Sequence, residues 1–145
     1  MYLEKMFGLN GKVAIVTGGG QGIGQVIAQG LAKAGAEVVI ICRSGASETV
    51  NLITKDGGKA YDIKADVTDE TQVNVALEEI LKRSGSIDIL FNNAGICIHQ
   101  ATLQTTIEEF RQVVDVNLTG EFIMARAVGK IMIERGIKGS IINMA

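Results

Sequence analysis

The 145-residue sequence predicts an α/β protein built on a doubly wound parallel sheet. Three features carry that prediction. Short, continuous apolar runs such as Val13–Val16 and Val38–Cys42 alternate with amphipathic stretches of helical period, the pattern of strands covered by helices on both faces. Glycines sit at the joints between these segments. The loops that carry unusual residues, Thr17–Gly24, Cys42–Ser44, Ala65–Val67 and Asn92–Gly95, each follow a strand, so a parallel sheet gathers them at one carboxyl edge.

Taken in order, Leu9 to Lys12 leads into the first strand, Val13–Val16, and the turn Thr17-Gly18-Gly19-Gly20-Gln21-Gly22-Ile23-Gly24 opens the first major helix. That helix, from Ile23 to Ala34, has Ile23, Ile27, Leu31 and Ala34 on its predicted sheet-facing side, with Gly30 placed there for close approach, and ends at Gly35. A second strand spans 38–42. The span Ser47 to Asp56 is a weaker helix, with Ser47 as its predicted cap and Gly57-Gly58 as its end. The third strand, Lys59 to Lys64, runs into Ala65-Asp66-Val67. Thr68 is the predicted cap of the next helix, whose first turn is acidic (Asp69, Glu70), whose last is basic (Lys82, Arg83), and whose apolar face is Val73, Leu77, Ile80 and Leu81. The fourth strand, Asp88 to Phe91, leads into Asn92-Asn93-Ala94-Gly95. Thr106 and Glu109 form a capping box that opens a helix predicted to run to Arg135, and a fifth strand covers Ser140 to Met144. Three strands, a reversal and further strands make a Rossmann-type order, so residues 1–145 read as one dinucleotide-binding domain.

Composition removes several function classes. Net charge is −2 with no basic cluster, which disfavours nucleic acid and anionic membrane as partners. No apolar run approaches a bilayer span, and Met1 to Asn10 lacks the basic start and apolar centre of a secretory leader, so a cytoplasmic protein is expected. Cys42 and Cys97 follow different strands with one between them, roughly 9–10 Å apart in strand spacing, so both are expected as free thiols. One histidine and no Cys-x-x-Cys leave no metal constellation.

The glycine turn points to a phosphate. Glycine permits positive φ and close ligand approach, and the helix that follows aims free N–H groups at the space above it. The spacing of Gly18, Gly22 and Gly24 is G-x-x-x-G-x-G rather than G-x-G-x-x-G, and Gln25-Val26 after Gly24 exclude a nucleotide-triphosphate P-loop. A tight turn without a ligand is the competing reading, which the convergence of four loops on one crevice disfavours. The candidate cofactor residues are Gly18, Gly20, Gln21, Gly22, Ile23 and Gly24 of the turn, Arg43 and Ser44 after the second strand, Asp66 and Val67 after the third, and Asn93, Ala94 and Gly95 after the fourth. Arg43 stands where a carboxylate would select NAD, so NADP is favoured, with NAD as the alternative. Asn117 is a side-chain amide in a strongly apolar helix and needs partners. His99, in the loop after the fourth strand, reads first as an ordinary exposed histidine.

The glycine turn together with Asp66-Val67, Asn92-Asn93-Ala94-Gly95 and Asn117 within Val116-Asn117-Leu118-Thr119-Gly120 resembles the classical short-chain dehydrogenase/reductase family along essentially the whole chain. Within that family it looks most like bacterial polyol and sugar-acid dehydrogenases of the gluconate 5-dehydrogenase and xylulose reductase sort. The resemblance implies an oxidoreductase interconverting an alcohol and a ketone by hydride transfer with NADP(H). It implies that Gly18, Gly22 and Gly24 line the diphosphate and ribose, that Asp66 and Val67 lie at the adenine, that Asn93, Ala94 and Gly95 lie beside the adenine ribose, and that Asn117 holds a water of the proton relay. The serine, tyrosine and lysine that carry the family's chemistry are absent, since Tyr2 and Tyr61 are followed four places on by Met6 and Ala65. The chain is therefore expected to be the first half of such an enzyme, inactive alone, with the fifth strand left as an apolar edge prone to aggregation. Surplus apolar residues on the long helix, among them Phe110, Phe122 and Ile131, suggest a homodimer or homotetramer at full length. Rival readings are a non-catalytic NAD(P)-binding regulator or scaffold, a 3-oxoacyl-carrier-protein reductase-like enzyme and, disfavoured by Arg43, a methyltransferase.

Overall fold

Each apolar run forms a strand, and each strand feeds a helix that crosses to the next. The computed structural model describes residues 2–145; Met1, the first residue of the segment read above as no leader, lies outside them. A short helix α1 (Tyr2–Phe7) precedes β1 (Val13–Thr17), α2 (Gly22–Lys33), β2 (Glu37–Cys42), α3 (Ser47–Lys55), β3 (Lys59–Lys64), α4 (Glu70–Ser84) and β4 (Ile89–Asn92). A 3₁₀ turn (Thr102–Gln104) leads to α5 (Ile107–Val114), a π-helical stretch (Asp115–Gly120), α6 (Glu121–Glu134) and β5 (Ser140–Asn143). The five strands are all parallel, in the order β3-β2-β1-β4-β5.

The continuous apolar runs are explained by burial on both faces. Tyr61, Val39, Ile15 and Leu90 stand side by side in register across the sheet and pack with Leu77 and Ile80 of α4 and with Met124 and Val128 of α6. Their neighbours Ala14, Val16, Val38 and Ile40 point the other way, onto Ala28 of α2 and Ile53 of α3. Alternation along each strand thus fills two cores. Strand β5 is the exception: it is exposed along its length, with Ile141 and Ile142 at the sheet edge. Outward on the α5–α6 path, Phe110, Leu118 and Phe122 are each at least 60% exposed, as expected of a surplus there, whereas Ile131, expected among them, is partly buried against the core.

Four local details differ from the expectations. On α2 the fully buried positions are Gly24 and Ala28, Ile27 and Leu31 are partly buried, and Ile23 is exposed. Gly30 therefore does not mediate close approach, because it lies about 200° around the helix from Ala28, and a Cβ there would meet nothing within 4 Å. Ser47 is the first residue of α3 rather than its cap; the cap position is Ala46, whose N–H donates to Asp62 Oδ2 at 2.8 Å. Thr68 is likewise not the cap of α4, because its hydroxyl and N–H both donate to Asp66 Oδ1, leaving Asp69 to accept from the N–H groups of Thr71 and Gln72. The predicted helix from Thr106 to Arg135 is continuous in path but widened at 115–120. Its Thr106–Glu109 capping box forms as expected.

Two outcomes test this packing. Gly24→Ala should cost about 1–3 kcal/mol, because its Cβ would stand 2.5 Å from Gly18 O and from Asn93 Nδ2, whereas Gly30→Ala should gain about 0.5–1 kcal/mol; urea denaturation of the two variants checks the contrast. The N–H of Gln72, then its side chain, hold the Asp69 carboxyl below its ordinary value of 3.8. A lowered folded pKa gives stability that is complete above the unfolded value and lost as pH falls through the folded one. The stability gap between the parent protein and Asp69→Asn should accordingly be widest above about pH 4.5 and close in more acidic buffer.

Candidate functional site

The carboxyl ends of β1, β2, β3 and β4 enclose a cleft of ≈ 470 Å³, and its geometry begins with the glycine turn. Gly18 and Gly22 adopt positive φ of 64° and 57°, which L side chains rarely adopt. A Cβ on Gly18 would lie 2.9 Å from Ala94 Cα, so the turn and the loop after β4 touch backbone to backbone. Helix α2 starts at Gly22 with Gln21 as its cap residue and no side-chain hydrogen bond at that cap, so its first N–H groups are open toward the cleft.

Three side chains, those of Thr17, Asn93 and Thr49, lock the turn in place. Thr17 Oγ1 accepts from the N–H groups of Asn93 and Ala94, both at 2.9 Å, and Asn93 Nδ2 donates to the carbonyls of Thr17 and Gly18, both at 3.2 Å. From the other side, the buried Thr49 of α3 donates its hydroxyl to Gly19 O at 2.9 Å and accepts from Gln25 Nε2 at 3.0 Å. Asn92 ties β4 to its neighbours, its amide donating to Glu121 O and to Asn143 Oδ1.

The structure brings together nearly all of the residues singled out. Gly18, Gly20, Gln21, Gly22, Ile23, Arg43, Ser44, Asp66, Val67, Asn93, Ala94 and Gly95 line the cleft. Gly24 does not: it is buried beneath the turn, where its missing side chain lets α2 meet Gly18 and Asn93. Arg43 is exposed and makes no hydrogen bond or ion pair among the described residues. The Asp66 carboxylate is engaged with Thr68, and its N–H donates to Gln72 Oε1.

Asn117 departs from its expected surroundings. It lies in the π-helical stretch and is exposed, so desolvation is not the cost that its partners offset. Its amide instead clamps the backbone of one residue, Oδ1 accepting from Ile96 N at 2.7 Å and Nδ2 donating to Ile96 O at 2.9 Å. Val116, not Asn117, lines the cleft. His99 and Cys97 sit together in the exposed loop beyond, Nδ1 3.9 Å from Sγ. Tyr61 is buried in β3 with its hydroxyl bonded to Ser84 Oγ at 2.8 Å, and burial pushes its phenol up.

Sequence reasoning missed Thr17, which fastens the turn, and the lining residues Ile41, Cys42, Gly45, Ala65, Ile96 and Val116. A hydroxyl closing an otherwise apolar strand was the available signal for Thr17; the others carry none. Cys42 is a half-buried wall of the cleft whose thiol burial pushes up, while both cysteines are free as expected. Among the described residues no three metal-binding side chains come together, and no helix is long and apolar enough to cross a membrane.

The comparisons agree on one family. The family model described as short chain dehydrogenase matches residues 12–145. Glucose 1-dehydrogenase 2 of Bacillus subtilis is 37% identical over 141 residues, covering 94% of this chain and 55% of that protein. A 2-dehydro-3-deoxy-D-gluconate 5-dehydrogenase of Formosa agariphila is 38% identical over 142 residues, covering 96% of this chain and 53% of the relative. Among solved structures, a short-chain type dehydrogenase/reductase from Mycobacterium marinum superposes with a TM-score of 0.95 at 39% identity, covering 100% of this chain and 60% of that one. The chain spans about half the length of the curated relatives it matches.

Thr17→Val keeps the shape of a fully buried side chain and removes the oxygen that two N–H groups share. It should lower stability by about 1–3 kcal/mol in a denaturant titration; a loss of only a few tenths would show that the hydroxyl does not fasten the loop.

Proposed function

The chain belongs to the short-chain dehydrogenase family, and from that premise we propose that it forms the cofactor-holding part of an NADP(H)-dependent oxidoreductase interconverting an alcohol and a ketone. The observation that carries the proposal is the cleft itself: two glycines at positive φ, an open helix N-terminus and an unspent arginine face the same space. The residues fit a dinucleotide. Gly18 and Gly20 offer bare backbone to a diphosphate, the first N–H groups of α2 complement its charge, and the planar fork of Arg43 suits a phosphate on the adenosine ribose. Val67 and the Asp66 loop offer a wall for the adenine, and Asn93, Ala94 and Gly95 one for the adjoining ribose. When bound, the nicotinamide supplies or accepts the hydride.

Substrate class follows from the relatives' names, which describe dehydrogenases of glucose and of a deoxy sugar acid. A sugar, polyol or sugar acid is the corresponding proposal here. Asn117 acts in this reading as a positioning residue, since its amide holds the Ile96 backbone N–H and C=O and retains one N–H and one lone pair for a relay water. Neither Tyr2 nor Tyr61 has a lysine four residues on, and the Tyr61 hydroxyl is engaged with Ser84, so we place the proton-transferring tyrosine and lysine outside these residues. The same observation favours a second reading, a non-catalytic dinucleotide-binding regulator. Cytoplasmic location and a homodimer or homotetramer, joined through the exposed apolar side of α5 and α6, complete the proposal.

Titration with NADPH and NADH, followed by nicotinamide fluorescence, tests the assignment. Arg43→Ala should weaken NADPH by roughly 10–100-fold, as loss of one charge-assisted contact does, while leaving NADH nearly unchanged. Equal weakening of both dinucleotides, or tighter binding of NADH by the parent protein, would reject NADP(H) as the cofactor.

A further inference from the structure

We infer that Lys64 is a specificity-determining residue of the cleft, supplying beside Arg43 the second positive charge for a phosphate monoester on the adenosine ribose. The inference rests on the NADP(H) reading above and goes beyond it, since neither the apolar pattern nor the glycine turn points to β3 for this task.

The placement follows from register. Lys64 closes β3 directly opposite Cys42 of β2, one position before Arg43, and the N–H of Ala65 donates to Cys42 O at 3.3 Å, which keeps the two strand ends together. Gly45, at φ 87°, then lets the loop after β2 fold back over β3. Lys64 lies against that loop: its Cε and Nζ come within 3.0 and 4.0 Å of the point where a Cβ on Gly45 would stand. Gly45, Arg43 and Ser44 all line the cleft. The Lys64 side chain therefore packs against the loop that carries the arginine, next to the residues that line the cleft rather than among them.

Charge supports the same conclusion. Lys64 is exposed and, like Arg43, makes no hydrogen bond or ion pair among the described residues, so its charge is available. Asp62 is the acidic side chain against this loop, its Oδ2 3.2 Å from the same Gly45 point, but that oxygen accepts from Ala46 N at 2.8 Å and is held under the loop. Glu48, in the first turn of α3, is exposed to solvent. A ribose hydroxyl has no use for two cations at one rim. A phosphate dianion does, and with the neutral Gln21 at the glycine turn, Lys64 is the cation that β3 places against the Arg43 loop.

The test is the ratio of NADPH to NADH affinity, measured by fluorescence titration of the same protein sample, with 2′,5′-ADP and 5′-AMP as competitors. Lys64→Gln should weaken NADPH and 2′,5′-ADP by about five- to tenfold while NADH and 5′-AMP change less than about twofold, and Lys64→Arg should keep the parent ratio. The NADPH preference should also shrink with added salt, as it does for a solvent-exposed cation. A ratio cancels any loss of folded protein, because misfolding lowers both affinities together. If the parent protein prefers NADPH, loses that preference in Arg43→Ala and keeps it in Lys64→Gln, the assignment of Lys64 is overturned and the cofactor reading stands. If the parent protein binds neither dinucleotide, the cofactor reading falls and this inference with it.

Discussion

The structure depends on one close approach, that of the glycine turn after β1 to the loop after β4. Gly18 meets Ala94 backbone to backbone and Gly24 meets the Gly18 carbonyl, distances that any side chain would break. Thr17 and Asn93 then fasten the contact with hydrogen bonds running in both directions. Because β1 and β4 are neighbours in the sheet while their loops are more than seventy residues apart in sequence, this contact draws the glycine turn and the Asn93–Gly95 segment onto one cleft. The remaining walls follow from strand order, since parallel strands deliver β2 and β3 to the same edge.

Much of the fold was legible because its signals are redundant. Val38–Ile41 and Val13–Val16 are apolar at every position, which only two-sided burial explains, and the structure fills both sides. Gly85 closing α4 in the left-handed region, and the Thr106–Glu109 pair opening α5, are local chemistries that need no tertiary help. The errors came where two candidates stood next to each other. Thr68 and Asp69 can both cap a helix, and the choice fell to Asp69 because Asp66 had already engaged Thr68. On α2, Gly30 and Gly24 are equally conspicuous in sequence, and only the turn's position shows which one faces the sheet.

The site was legible at its glycines and less so at its side chains. The twelve predicted residues that line the cleft came from loops that a parallel sheet must bring together, so topology alone gathered them. Lys64 was invisible, because a lysine ending an exposed edge strand looks like ordinary solvation until the register opposite Cys42 and the missing side chain of Gly45 are known. Asn117 was recognised as unusual but for the wrong reason. It is solvent-exposed, and what it engages is the backbone N–H and C=O of Ile96 rather than relief from burial.

The widened stretch at 115–120 sets the phase of everything on either side of it. A π turn carries one more residue than an α turn, so α5 and α6 are about 100° out of step with the faces a regular helix would give them. That offset allows Met124, Val128 and Met132 to meet the sheet while the amide of Asn117 still points at Ile96. Removing a single residue from this segment would restore an ordinary helix and, in doing so, force a choice between the two: either the core loses its stripe, or the cleft loses its clamp.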